Sequence, residues 1–188
     1  MVSVTRERWE AAALRMFEDE YAFVAVGPRG HDDWAIDAVG VMERRLHDPR
    51  GWVTLDKDTS ARADATRPRA YPFVNPGVEK IRERTFPITL SSAGRQLVAM
   101  VDDWFEAFRI DGFPVRAERL REDAAILLAR FGDDARCYST SPKAQLGPRT
   151  DPVAEPSAGY PFTDFTMDLG LIAASASEVG VFWRFNPI

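Results

Sequence analysis

Cysteine is almost missing from this chain: Cys137 stands alone among 188 residues, so no internal disulfide can form and a bridge-stabilised scaffold is excluded. Histidine is nearly as scarce. His31 and His47 are the only two, and no His-x-x-x-His or Cys-x-x-Cys pair begins a metal site. Long apolar runs are absent as well; Tyr21 to Val26, among the longest, is far too short to span a bilayer. The N-terminus becomes charged at Arg6-Glu7-Arg8 without an apolar stretch, so no secretory signal and no membrane are expected, and a cytoplasmic setting is.

Positive charge is not in excess. The chain has 24 Lys and Arg against 29 Asp and Glu, a net charge of −5. Binding to nucleic acid depends on cations that neutralise phosphates, so no nucleic acid is expected as partner. No Gly-x-Ser-x-Gly elbow, phosphate-cradling glycine loop or dinucleotide fingerprint occurs.

What remains is the composition of an ordinary globular protein, 45% hydrophobic and 28% charged. Residues 1–188 suffice for one domain with a single large core. Apolar spacings of three and four predict helices from Thr5 to Asp19, Asp33 to His47, Pro76 to Arg84, Ser92 to Arg109 and Arg116 to Phe131. In the fourth of these Leu97, Val98, Val101, Trp104, Phe105 and Phe108 fall on one side and are expected to face inward. The last two helices, joined by a short turn, are expected to pack as a hairpin.

Strand composition marks Tyr21 to Val26, Trp52 to Leu55, Thr85 to Leu90 and Arg136 to Thr140, then Phe165 to Ala174 and Glu178 to Phe185 around Ser175-Ala176-Ser177. The short final connection predicts a β-hairpin. In its second arm Val179, Val181, Trp183 and Phe185 alternate with Gly180, Phe182 and Arg184, and Phe182 implies that both faces are covered. Polar, aperiodic stretches near 56–72 and 141–160 predict long loops. The fold expected is α+β: a mixed, largely antiparallel sheet ending in a hairpin, packed against four to five helices.

Each catalytic constellation lacks a part. Asp56-Lys57-Asp58-Thr59-Ser60 opens like a calcium loop, but Ala61 replaces the turn glycine and Arg67 the closing glutamate. Cys137 fits a buried strand better than a nucleophile. No catalytic residue, metal site or cofactor is therefore expected. Gly27-Pro28-Arg29-Gly30, after a strand and before a helix, is where an anion could bind, and a small enzyme or small-molecule site near residues 27–33 is the alternative reading. A structural subunit of a larger assembly is the third, and would expose apolar patches.

Acidic side chains form the other signal. Glu18, Asp19 and Glu20, then Asp32 and Asp33 with Asp37 nearby, then Asp102, Asp103 and Glu106 could together recognise a basic protein.

The terminal pattern Asp168-Leu169-Gly170-Leu171-Ile172-Ala173-Ala174, a three-residue turn, and Val179-Gly180-Val181-Phe182-Trp183 resembles the closing hairpin of bacterial immunity proteins that neutralise polymorphic toxins. That resemblance implies a non-catalytic protein that occludes another protein, and it carries no functional residue across. The partner expected on this reading is another protein, basic in character.

Overall fold

The C-terminal hairpin is the middle of the molecule. In the computed structural model, which describes residues 4–18, 21–56, 66–151, 153 and 158–186, β5 (Met167–Ala174) and β6 (Glu178–Asn186) pair antiparallel from Met167↔Asn186 to Ala174↔Val179. Four shorter strands flank them: β1 (Ala22–Pro28), β2 (Leu55–Asp56), β3 (Phe86–Ile88) and β4 (Arg136–Ser139). The order across the six-stranded sheet is β2-β1-β6-β5-β4-β3, and every pairing is antiparallel. Both edge strands are short and β3 carries Pro87, features that discourage pairing with another chain.

Every residue of β6 is buried, as the alternation of Phe182 against Trp183 predicts for a strand covered on both faces. One face holds Val24, Leu169, Leu171 and Phe182 under α1 (Arg6–Phe17), α4 (Leu90–Ala99) and α5 (Phe113–Ala129). The other holds Phe23, Ile172, Val181, Trp183 and Phe185 under α2 (Trp34–Met42), α3 (Val78–Arg84) and the residues around Phe73 and Phe162. These five helices and the antiparallel sheet are the α+β arrangement expected.

Local chemistry explains the boundaries. Thr5 caps α1 by accepting from the Arg8 amide at 3.4 Å, and Trp9, Ala12, Ala13, Met16 and Phe17 lie buried beneath it. Trp9 Nε1 donates to the Leu127 carbonyl at 3.2 Å, and Arg15 holds Asp123 through two bonds of 2.9 and 2.7 Å, so α1 is locked to α5. Gly132 follows α5 with φ of 83°, the left-handed position where glycine is favoured. Gly94 is different. A Cβ there would meet only Leu128 Cδ1, at 4.0 Å, so packing does not require glycine, which costs a helix interior about 0.5–1 kcal/mol relative to alanine.

Several expectations need correction. α2 stops at Met42, not His47, because Arg45 and Leu46 both donate to the Gly40 carbonyl and Arg44 adopts a left-handed φ of 54°. The strand expected over Trp52–Leu55 shrinks to Leu55–Asp56, because the Val53 amide is taken by Glu10 Oε1 at 2.8 Å. β1 and β2 are an antiparallel pair, with Phe23 opposite Asp56 and Val24 opposite Leu55. The helix expected to Arg109 ends at Ala99, so a longer connection than the expected short turn joins α4 to α5. Within the two expected loops, residues 57–65, 152 and 154–157 lie outside the described residues, and with them most of the calcium-like stretch. Its first residue, Asp56, accepts from Arg44 Nε at 2.7 Å.

Candidate functional site

The connection that replaces the end of the expected helix is built by one carboxylate. Asp102 Oδ2 accepts from the amides of Trp104 at 2.9 Å and Glu106 at 3.3 Å, offering the backbone a partner that a continuing helix would not. Phe105 then takes a left-handed φ of 61° and sinks its ring into the core, while a 3-10 turn spans Ala107–Arg109. A left-handed backbone is uncommon for a bulky residue, and here it separates neighbouring side chains. Phe105 and Ile110 are buried; Trp104 is 37% exposed, Phe108 72%, and Val115, in the first turn of α5, 89%. The inward facing expected of Trp104 and Phe108 is thus overturned.

Those three and Leu146 are the large apolar side chains exposed among the described residues, so three of the four sit on one short segment. Asp102, Asp103, Glu106 and Asp111 lie on the same segment. Glu106 and Asp111 form no ion pair among the described residues; Asp111 is exposed and Glu106 half-buried. Asp103 pairs with Arg184, and its carbonyl accepts from Asn186 Nδ2 at 3.0 Å, which fastens the segment to the end of β6. Arg109 stands 5.5 Å from the Trp104 ring centroid and 4.0 Å from Asp102 Oδ2. The result is a group of exposed apolar side chains beside two carboxylates without an ion pair, on a backbone already ordered.

The other acidic side chains are not in this patch. Asp33 caps α2, accepting from the Ala35 amide at 3.0 Å, and also pairs with Arg82 at 2.5 Å. Asp32 is exposed beside it. Both follow Pro28, which pairs with Glu178, whereas Asp103 sits by Arg184, which pairs with Ala22. At a strand rise of about 3.3 Å per residue, roughly 20 Å separates the two ends. Glu18 closes α1 just before β1, at the Asp103 end of the sheet. Asp19 and Glu20 lie outside the described residues.

The segment from Gly27 to Asp33 does hold an anion, and that anion is the protein's own. Asp37 Oδ2 accepts from Arg29 Nε at 3.0 Å, the Gly30 amide at 3.2 Å and the His31 amide at 3.3 Å, while Oδ1 meets His31 Nδ1 at 2.7 Å. The remaining Arg29 nitrogens donate to carbonyls of Ser175, His31 and Asp32. A cleft of ≈290 Å³ lies alongside, between Asp32, Trp34, Asp134, Arg136 and the hairpin turn. Burial opposes ionisation of Asp37, but the bonds from His31, Gly30 and Arg29 prevail and hold its carboxyl below the usual carboxylate range.

A pH dependence follows. A carboxylate whose folded pKa is depressed contributes stability that is complete above its unfolded pKa of about 3.9 and lost as pH falls through the folded value. Asp48 is depressed in the same way, burial being outweighed by Arg130 and the Arg50 amide. Through these two groups urea midpoints should drop once the pH falls below about 4. Asp37→Asn should be less stable at neutral pH and show a shallower acid fall; an acid profile parallel to wild type would contradict the assignment.

Arg130 was not singled out by sequence, yet its side chain is fully buried, with contacts of 2.8 Å to Asp48 and 2.7 Å to Glu178. Its guanidinium lies 5.0 Å from the Trp9 ring and 4.6 Å from that of Trp52, while Arg50 stacks on Trp52 at 3.9 Å and reaches Glu178 at 2.9 Å. Two cations and two carboxylates leave no uncompensated charge, the balance of an internal brace. Cys137 is buried in β4, and burial pushes its thiol up to about 12, which removes it from nucleophilic chemistry near neutral pH. Among the described residues no three His, Cys, Asp or Glu side chains converge on a metal position, and no helix is long and apolar enough to cross a membrane.

What the fold and this surface define is an antiparallel sheet covered on both faces, with one exposed, acidic and aromatic segment. No protein-family model, curated protein or solved structure matches the chain.

Proposed function

We propose that this chain is a non-catalytic protein-binding domain whose contact surface is the connection from Asp102 to Val115. The observation that carries this reading is the concentration of Trp104, Phe108 and Val115, all exposed, on a segment that also carries Glu106 and Asp111 and whose backbone is internally fixed. Buried aromatic anchors supply most of the affinity in protein interfaces, and an ordered surface loses little entropy on binding. The partner carries a basic face with recesses for two aromatic side chains. Neutralisation of a toxin by direct occlusion is the role to which the hairpin's resemblance points, and it is part of this proposal.

The test begins with immobilised protein, cell extract from its source and identification of what is retained, followed by binding kinetics with the purified partner. Glu106→Lys with Asp111→Lys avoids the capping role of Asp102 and the Arg184 pair of Asp103. That double variant should slow association about tenfold or more at low salt, and the difference should shrink as salt is added. Unchanged association would remove these two carboxylates from the interface. A partner held equally well by Phe108→Asp would overturn the assignment of the surface.

A further inference from the structure

A groove of ≈580 Å³ runs between α4 and α5, lined by Leu90, Gly94, Ala125, Leu128 and Ala129, with Arg95 and Arg121 among its polar residues. Its volume falls in the range of about 300–1,000 Å³ that small-molecule sites occupy. Gly94 gives it depth, and the 4.0 Å clearance to Leu128 means that close helix packing does not demand that glycine. Ala125 and Ala129 are exposed on the facing helix and leave the floor equally open. The charges are unequal. Arg95 donates to Asp151 at 2.8 Å and to the hydroxyls of Ser91 and Ser92, each at 3.1 Å, which fixes its position and offsets its charge. Arg121 has neither a hydrogen bond nor an ion pair among the described residues, and Asp133 is the one acidic group in the lining.

We propose that this groove binds an amphipathic monoanion: an apolar chain or ring carrying one carboxylate, its body against Gly94, Ala125 and Leu128 and its head against Arg121. The apolar floor supplies area that water leaves on binding, and the unpaired guanidinium supplies a two-pronged donor matched to a carboxylate. The groove belongs to the helices and not to the Asp102–Val115 segment, so the site stands independently of the protein-binding surface.

Decanoate is the probe, with decanol as its uncharged counterpart, read by calorimetry and by amide shifts of α4 and α5. Decanoate should bind more tightly than decanol and shift the amides around Gly94 and Ala125. Arg121→Ala should weaken decanoate about tenfold or more and leave decanol unchanged. Gly94→Leu should abolish both, and Gly94→Ala, melting no lower than wild type, establishes that a side chain at this position is compatible with folding. Absence of decanoate binding at millimolar concentration would overturn the proposal, as would binding that neither Arg121→Ala nor Gly94→Leu alters. A dimer in solution that Gly94→Leu dissociates would assign the groove to a second copy of the chain and overturn it equally.

Discussion

Arg130→Ala is expected to cost about 3–5 kcal/mol of stability, the usual penalty for removing one member of a buried charge set, here leaving Asp48 without its cation and Glu178 with Arg50 alone. In a chain of this length the melting temperature should fall by roughly 6–20 °C. Asp48 would lose two bonds of 2.8 and 2.9 Å, and Glu178 two of 3.1 and 2.7 Å, with neither carboxylate able to reach bulk water freely. The faces of Trp9 and Trp52 would also lose the cation between them. Arg130→Lys separates charge from geometry: an ammonium keeps the sign but cannot present a planar fork to two carboxylates, so an intermediate loss is expected. Adding Asp48→Asn to Arg130→Ala should recover part of the loss, since Asp48 is ion-paired among the described residues with Arg130 alone, whereas Glu178 keeps Arg50. Thermal unfolding followed by circular dichroism measures all three. A loss below about 1 kcal/mol for Arg130→Ala, the size of an ordinary exposed pair, would mean that the brace contributes no more than a surface salt bridge.

That brace was invisible in the sequence for a physical reason. Arg130 stands at the end of α5, and Asp48 and Glu178 are 82 and 48 residues away from it. Charge pairing at such separation leaves no periodic trace. The hairpin was legible because its information is local: alternation in β6 fixes which side chains share a face, and Ser175-Ala176-Ser177 fixes the turn. The start of α1 at Thr5 was legible for the same reason. Asp33 was half legible. Its place before a helix follows from the sequence, whereas its pair with Arg82 requires the fold.

The instructive error concerns Val101, Trp104, Phe105 and Phe108, whose spacing continues that of α4. Periodicity reports only where apolar residues recur. It does not register that Asp102 can take two backbone amides for itself, which ends the helical ladder, nor that Phe105 then turns left-handed. Asp102, Asp103 and Glu106 were read as acidic groups for a basic partner. Two of them hold the segment in place, and the exposed residues beside them are apolar.

The same segment yields the second large effect, and it separates architecture from recognition. Phe105→Ala should cost about 3–5 kcal/mol, because its ring is a fully buried part of the core beneath α4 and α5 and leaves a cavity when removed. The left-handed backbone at this position then keeps the Asp102 and Asp103 bonds but loses the ring that seats it in the core, so the Trp104–Phe108 surface should loosen and partner affinity should fall as well. Phe108→Ala should do the reverse: stability within about 0.5 kcal/mol of wild type, since the ring is mostly in water, and a loss of about 2 kcal/mol in binding, roughly 30-fold. Denaturant unfolding and partner titration on both variants give four numbers, and the proposal requires a particular pattern among them. If Phe108→Ala binds as wild type while Phe105→Ala does not, the contact lies elsewhere and the segment only supports it. If Phe108→Ala binds 30-fold more weakly at unchanged stability, the exposed ring itself is the anchor, and the left-handed turn at Phe105 exists to hold it out.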